Sequence, residues 1–149
     1  QIHNAKRLIE LGDSLRRGHG LIAVAPATSF HGKLRPYQAD GLAWLDFLRD
    51  AAFGGVLADD MGLGKTVKAL AFLAREKGQE RLTKPALIVC PTSVLPNRLS
   101  ESKYFAPTLA FLPLRGLDRR KPFAAIPNSD LVITTYPLLA RDHKVLLGH

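Results

Sequence analysis

The sequence predicts an α/β fold with a mostly parallel sheet, and two features of the 149-residue chain lead to that prediction. Short apolar runs alternate with segments that repeat apolar residues at helical spacing. Strands that alternate with helices are joined by right-handed crossovers, which place neighbouring strands parallel. The run ALIVC at 86–90 is apolar throughout, as expected for a strand that is covered on both faces.

The elements are predicted from their residues in chain order. An apolar pattern at 4–17 indicates a short helix, and Gly, Pro, Thr and Ser residues at 18–34 indicate a connector. We therefore separate an upstream segment, 1–33, from a main domain at 34–149. The elements predicted in that domain are a helix at 36–52, a strand at 54–58, a helix at 65–76, a strand at 86–90, a helix at 93–105, and strands at 109–114 and 130–135.

The composition is that of a soluble globular domain, with 46% hydrophobic and 23% charged residues. A net charge of +8 favours nucleic acid as a partner, although solubility alone could explain it. The single cysteine, Cys90, excludes an internal disulfide and fits a reducing compartment. No apolar run reaches the ~18 residues of a membrane span, so we expect no membrane association and a cytoplasmic protein, or a nuclear one if its source is eukaryotic. A chain that begins at Gln1 suggests a piece of something longer.

The stretch DDMGLGKT at 59–66 has the residues of a phosphate-binding loop set between a strand and a helix. Its two glycines allow successive N–H groups to point at one anion, and the following helix adds its positive dipole end. Lys65 can reach the β- and γ-phosphates of ATP, and Thr66 can offer its hydroxyl to Mg²⁺. Because Asp59 stands where the strict pattern has glycine, a glycine-rich turn with an incidental lysine is the alternative. The predicted loop contacts are Asp60, Met61, Gly62, Leu63, Gly64, Lys65 and Thr66, with Lys65 and Thr66 as the candidate catalytic residues.

Polar turns follow three of the predicted strands, at 59–66, at 91–93 (PTS) and at 134–136 (TTY). In parallel sheets ligands bind at the carboxyl ends of the strands. The three turns are therefore predicted to line one rim of the sheet.

Four segments resemble one known family. GVLADDMGLGKTVKALA at 55–71 is similar to the first ATPase motif of the Swi/Snf-type chromatin-remodelling ATPases, among the superfamily-two helicases, where Asp59 is typical. LRPYQADGLAWL at 34–45 resembles the segment that holds the adenine, ALIVCPTSVLPN at 86–97 resembles motif Ia, and DLVITTYPLL at 130–139 resembles motif Ib. The resemblance implies a three-layer P-loop NTPase fold of the RecA-like kind, of which the chain would hold an incomplete amino-terminal lobe.

The resemblance also implies roles for single residues. Gln38 would contact adenine, with Arg35 and Tyr37 nearby, since an amide can donate and accept at once; a surface glutamine is the alternative. ATP and Mg²⁺ are the implied cofactors, and double-stranded DNA and a second motor lobe are the implied partners. The positions that match DNA-backbone contacts are Pro91, Thr92, Ser93, Thr134, Thr135 and Tyr136. Hydroxyl and N–H groups there suit phosphate contact, but Thr92 or Ser93 could instead cap the next helix.

Two residues depart from the family's pattern. Lys68 stands where glutamine is usual, and Arg98 stands where tryptophan usually follows Pro-Asn, which puts local packing in doubt. We expect neither to touch the phosphate chemistry. The acidic pair of the family's next motif does not occur before His149, and no second lobe with its arginine finger is present. Because phosphoryl transfer needs these parts together, we expect the chain alone to bind nucleotide weakly and hydrolyse almost none.

The leading functional hypothesis is the ATP-binding lobe of a DNA-stimulated ATPase that translocates along duplex DNA. A small-molecule kinase on the same loop is one alternative, but it would need an acceptor pocket and an arginine-rich lid. A nucleic-acid-binding module without enzymatic activity is another, for which ATP would be irrelevant. Asp59 and Asp60 are expected to make loop hydrogen bonds rather than to act in acid–base catalysis, and Cys90 is expected to be a buried small residue.

Overall fold

The computed structural model of the chain describes residues 21–60 and 62–148, apart from the side chains at 117–121. The helix predicted at 4–17 lies outside these residues, and the connector residues 21–34 form no helix or strand. The regular elements are α1 Pro36–Asp50, α2 Lys65–Gly78, β1 Ala86–Cys90, α3 Leu95–Phe105, β2 Phe111–Pro113, β3 Leu131–Thr135 and α4 Tyr136–Leu146. Among the described helices, none combines the length and apolar character needed to cross a bilayer.

Most of the predicted elements are confirmed at slightly different bounds. The strand predicted at 109–114 is reduced to Phe111–Pro113. Among the described residues, α4 and a 3₁₀ segment at Leu117–Asn128 have no counterpart in the prediction. The helix predicted at 93–105 is α3 preceded by a short 3₁₀ turn at Thr92–Val94. α4 begins with a proline in its first turn, where the missing N–H has no helical partner to lose.

Over residues 21–60 and 62–148 the sheet has three strands in the order β1-β3-β2, and both pairings are parallel. The predicted parallel sheet is therefore confirmed. Cys90 at the end of β1 pairs with Thr135 at the end of β3. The turn at 91–93 and the turn that opens α4 therefore lie side by side at the carboxyl ends of β1 and β3.

The strand predicted at 54–58 does not form, so that prediction is wrong for this structure. The segment has no regular structure, and Val56 is 82% exposed. A strand is held by hydrogen bonds to a neighbour, and no strand among the described residues pairs with 54–58. Apolar composition alone, without a partner strand, is insufficient.

Two apolar clusters cover the two faces of the sheet. One joins α1, α2 and α3 to the sheet through buried residues such as Leu42, Leu70 and Ile133. The other packs Val132 against Leu114, the 3₁₀ segment and α4. Successive residues of β3 point to opposite faces, so the strand is buried along its whole length. The molecule therefore has three layers.

A network of ion pairs fastens α1 to α2. Asp46 accepts hydrogen bonds from Arg49 Nη1 at 2.7 Å and from Arg75 Nε at 3.2 Å. Glu76 accepts from the same Arg49 nitrogen at 2.6 Å and from Arg81 Nη2 at 2.5 Å. Burial alone would raise the pKa of Asp46, but the bonds from Arg75 and Arg49 outweigh it and hold that pKa below its ordinary value. The network fixes α1, which carries the candidate adenine residues, beside the helix that follows the glycine loop.

Candidate nucleotide-binding site

The glycine loop adopts backbone conformations that glycine permits and leads directly into α2. Gly62 has φ of 86° and Gly64 has φ of 77°, both in the left-handed region where a side chain is strained. Gly64 is the N-cap of α2, and the first helical bond is donated by Lys68 N to its carbonyl at 3.1 Å. The N–H groups of the preceding turn are left without helical partners beside the positive dipole end, as an anion site requires.

Lys65 is folded back onto the loop. Its Nζ donates to the carbonyl oxygen of Asp59 at 2.5 Å and to that of Asp60 at 2.9 Å. An ammonium has three donors, so these bonds bring the loop's two ends together and still leave one donor. Leu63 and Asp60 are exposed on the loop, and Met61 lies outside the described residues.

A cavity of about 360 Å³ lies at the start of α2. Its lining residues come from the loop, from α2 and from α3: Gly62, Gly64, Lys65, Thr66, Arg98 and Glu101. The cavity contains two cationic side chains and one carboxylate. Its position brings the predicted phosphate residues together around one space that a polyanion could occupy.

Arg98, which we expected to lie outside the phosphate chemistry, contacts a residue of the predicted phosphate site. Arg98 Nη1 donates a hydrogen bond to Oγ1 of Thr66 and another, at 2.7 Å, to Oε2 of Glu101. The departure from tryptophan therefore adds a cation to the wall of the cavity. The pairing of Arg98 with Glu101 could have been predicted from the sequence, because residues three apart on a helix lie on one face.

Lys68 is buried beneath the loop, and its side chain is only 2% exposed. Its Nζ forms an ion pair with Asp59 Oδ2 at 2.7 Å and lies 5.5 Å from the centroid of the Tyr37 ring. A Cβ added to Gly41 would come within 2.5 Å of Lys68 Cδ, so the absence of a side chain there makes room for the lysine. Lys68 thus links the first residue of the loop to α1.

Gln38 serves its own helix and also contacts the loop. Its Oε1 accepts a hydrogen bond from the backbone N–H of Arg35 at 2.9 Å. Its Nε2 lies so close to Gly64 that an added Cβ would collide with it. The three residues proposed for the adenine therefore sit at the amino end of α1 against the glycine loop, with Tyr37 over Lys68.

The six positions matched to DNA contact differ in exposure. Pro91, Thr92 and Ser93 are exposed, and Tyr136 is 59% exposed. Thr134 and Thr135 are buried within β3, and the Thr134 hydroxyl has no partner within the described part of the chain. In the part of the chain that the structure describes, neither the Thr92 nor the Ser93 hydroxyl makes a capping hydrogen bond to the helix that follows. Side-chain contact with a ligand at this rim is thus open to Thr92, Ser93 and Tyr136.

Cys90 is buried, as expected, and lies at the end of β1. Burial raises the pKa of its thiol, and the nearby charge of Arg98 opposes that rise only in part. Sγ lies 3.7 Å from the carbonyl oxygen of Thr134, within hydrogen-bonding distance for a thiol. The residue packs in the apolar cluster that joins the helices to the sheet, and it is a poor nucleophile.

The fold and the site together define a class of protein. A parallel sheet between helical layers, with a glycine loop that enters a helix beside a cavity, is the arrangement of a P-loop nucleotide-binding protein. The family model for the SNF2-related domain matches residues 37–149, and the chain belongs to that family.

Individual relatives agree with this assignment. YwqA of Bacillus subtilis (strain 168), named as a candidate ATP-dependent helicase/translocase, is 42% identical over 149 residues, which cover 98% of this chain and 16% of YwqA. The chromatin-remodeling ATPase INO80 of Arabidopsis thaliana is 36% identical over 126 residues, which cover 77% of this chain and 8% of that protein. The solved Sulfolobus solfataricus SWI2/SNF2 ATPase core in complex with dsDNA matches with a TM-score of 0.75 and 39% identity, over 83% of this chain and 25% of that one.

These matches confirm the resemblance to Swi/Snf-type ATPases and the RecA-like fold of the lobe. They also show that the chain spans a quarter or less of each of these relatives. It corresponds to part of an ATPase core in larger proteins.

Proposed function

We propose that this chain is part of the ATP-binding lobe of a DNA-stimulated ATPase that translocates along double-stranded DNA. The observation that carries the proposal is the cavity at the start of α2, where the glycine loop, Lys65 and Thr66 meet. Membership of the SNF2-related family supports the same function for the longer protein.

ATP binding uses the backbone first. The N–H groups at the start of α2 and in the loop hold phosphate oxygens, because they have no helical partners there. Lys65 exchanges the carbonyls of Asp59 and Asp60 for phosphate oxygens, so the loop opens as the nucleotide enters. Gln38 lies against Gly64 with its Nε2 available to an adenine edge, while Oε1 remains on the helix.

The residues present fit Mg²⁺ brought by ATP rather than held by the protein alone. The Thr66 hydroxyl lines the cavity, and no cluster of three His, Cys, Asp or Glu ligands occurs in residues 21–60 and 62–148. Mg²⁺ at nucleotide sites is usually held by few protein groups, phosphates and water. When bound, it would neutralise charge that develops on the phosphate oxygens.

Hydrolysis requires groups beyond these. A water must be oriented toward the γ-phosphorus while the bond to the bridging oxygen breaks, and an arginine must stabilise the charge. We assign the water-orienting carboxylate to the rest of the longer protein and the arginine to its second lobe. The chain alone is therefore expected to bind nucleotide with little turnover.

Contact with DNA is assigned to the turns that follow β1 and β3. Thr92 and Ser93 follow β1, Tyr136 follows β3, and the register of these parallel strands puts the turns side by side. Hydroxyl and N–H groups there can hold phosphate oxygens without reading bases. The net charge of +8 supports an anionic partner.

The proposal is tested in the longer protein by measuring ATP hydrolysis with and without duplex DNA. Lys65→Ala should abolish hydrolysis in both conditions. Lys103→Ala, which removes an exposed lysine from α3, is the matched control and should leave both rates unchanged. The double variant Thr92→Ala/Ser93→Ala should retain basal hydrolysis and lose stimulation by DNA. Thr108→Ala, at an exposed position before β2, should keep it.

Two results would overturn parts of the proposal. Salt-sensitive DNA binding that persists in Lys65→Ala, without any hydrolysis by the wild type, would indicate a nucleic-acid-binding module instead. Hydrolysis that DNA never stimulates would remove DNA from the function and leave a nucleotide site alone.

A further inference from the structure

Arg98 is a second cation of the nucleotide cavity, and it comes from α3 rather than from the loop. It belongs to α3, whereas Thr66, which accepts its hydrogen bond, belongs to α2. Its bonds to Thr66 and Glu101 both use Nη1, and within the described part of the chain none is found from Nε or Nη2. Those donors are available because the side chain is 34% exposed at the cavity.

The two cations of the cavity are engaged differently. Lys65 has its ammonium on the carbonyls of Asp59 and Asp60, so its charge is directed into the loop. Arg98 is held by the Glu101 carboxylate through Nη1, so its Nε and Nη2 groups can still donate hydrogen bonds. Both cations thus keep a donor for an anion, but Arg98 can use its free N–H groups without breaking its ion pair with Glu101.

The contact with Thr66 indicates which part of a nucleotide Arg98 would meet. In a phosphate loop the threonine hydroxyl would help to hold Mg²⁺, which would stabilise charge on the phosphate oxygens at the point of hydrolysis. A guanidinium within hydrogen-bonding distance of that hydroxyl would therefore lie near the terminal phosphate of a bound nucleotide. Arginine also suits this role because its planar fork can bind two phosphate oxygens at once.

We propose that Arg98 is a phosphate-binding residue. When ATP binds, its hydrogen bond to Thr66 is replaced by one to the terminal phosphate, while its ion pair with Glu101 is retained. The residue thereby makes the site prefer ATP over ADP. This inference rests on the proposed nucleotide site and goes beyond it, because a nucleotide site could exist without any contribution from α3.

A purely structural role makes a different prediction. Arg98 and Glu101 are three residues apart on one helix and both partly exposed, and such pairs contribute little on their own. If Arg98 only fastened α3 to α2 through Thr66, its loss would affect ATP and ADP alike.

The test is calorimetric titration of the chain with Mg·ATP and with Mg·ADP. Arg98→Gln should weaken Mg·ATP binding about tenfold, and should change Mg·ADP binding less than about twofold. Arg98→Lys keeps the charge and should recover part of the preference for ATP. Arg141→Gln, which removes an exposed arginine from α4, is the control and should change neither affinity. A urea titration of each variant checks that the fold is retained.

The outcomes separate this inference from the proposed function. Loss of both nucleotides in Lys65→Ala, with loss of the ATP preference alone in Arg98→Gln, supports both. Equal weakening of ATP and ADP by Arg98→Gln, or no weakening, overturns the role of Arg98 and leaves the nucleotide site intact. A folded wild-type chain that binds neither nucleotide refutes the proposed function and the inference with it.

Discussion

Replacing Lys68 tests whether the buried ion pair beneath the glycine loop stabilises the fold. The ammonium is within 2.7 Å of Asp59 Oδ2, and the side chain that carries it is almost fully buried. Lys68→Met retains most of the apolar stem and removes the charge. Lys68→Ala removes the stem as well.

The expected magnitudes follow from the contacts. A hydrogen bond between charged groups contributes about 1.5–3 kcal/mol, and Asp59, at 25% exposure, would regain some water when its partner is removed. Lys68→Met is therefore expected to lower the free energy of unfolding by about 2 kcal/mol. Lys68→Ala also loses the burial of about three methylene groups at about 0.8 kcal/mol each, so its total is about 4 kcal/mol.

The assay is urea denaturation followed by the fluorescence of Trp44, the single tryptophan of the chain. Lys103→Met, on the exposed surface of α3, should stay within about 0.5 kcal/mol of the wild type. The double variant Lys68→Met/Asp59→Asn should cost less than the sum of its single changes, because each alone leaves a partner unpaired. The reasoning is refuted if Lys68→Met is no more destabilising than Lys103→Met, or if the two changes are additive.

Three further predictions concern the ion-pair network, the loop and the thiol. Asp46→Asn should lower the free energy of unfolding by about 3 kcal/mol at pH 7. Because folding lowers the pKa of Asp46, its carboxylate stabilises the fold above the unfolded pKa of about 4, and this stabilisation is lost as the pH falls through the folded pKa. The urea midpoints of the variant and the wild type should therefore converge in acid. Gly62→Ala should lower the free energy of unfolding by about 1 kcal/mol, for backbone strain alone. Gly64→Ala should lower it more and should also weaken Mg·ATP binding, because its Cβ would displace Gln38. Equal losses of stability in urea titrations would contradict this. Cys90 should react with a thiol reagent at pH 8 far more slowly in the native chain than in urea, because burial raises the pKa of its thiol, and equal rates would contradict that burial.

Much of the fold could be predicted from the sequence because local patterns agree with the final packing. The run ALIVC forms a strand of the parallel sheet, and Pro36 begins a helix as its position suggests. The strand lies at the edge of the described sheet and Leu87 is 45% exposed, so the predicted cover on both faces is found instead at β3. Gly62 and Gly64 adopt the left-handed conformations that the loop motif requires. In these places a single residue type or a short pattern is sufficient to determine the backbone.

The remaining features depend on partners that are distant in sequence. Residues 54–58 have the composition of a strand but no neighbour to pair with among the described residues. Lys68 looks like an exposed helix lysine, and only Gly41, Tyr37 and Asp59, brought from elsewhere, make its burial possible. Sequence patterns report local preference, whereas these outcomes depend on which elements meet.

The loop of the candidate site could be predicted from the sequence, whereas the wall that α3 contributes could not. Lys65 and Thr66 follow from the motif, and both line the cavity. Arg98 is 32 residues from Thr66, so their contact arises from the packing of α3 on α2 and has no local signature. Burial of the Thr134 hydroxyl likewise follows from the covering of β3 on both faces.

The measurement that tests the central claim most directly is calorimetric titration of the 149-residue chain with Mg·ATP, beside Lys65→Ala and the control Lys103→Ala. A formed phosphate site predicts binding that Lys65→Ala weakens by about tenfold or more, equivalent to about 1.4 kcal/mol, and that Lys103→Ala leaves unchanged. Binding that Lys65→Ala does not weaken, or a folded wild-type chain that binds no nucleotide, would contradict the claim that the loop holds the phosphates of ATP.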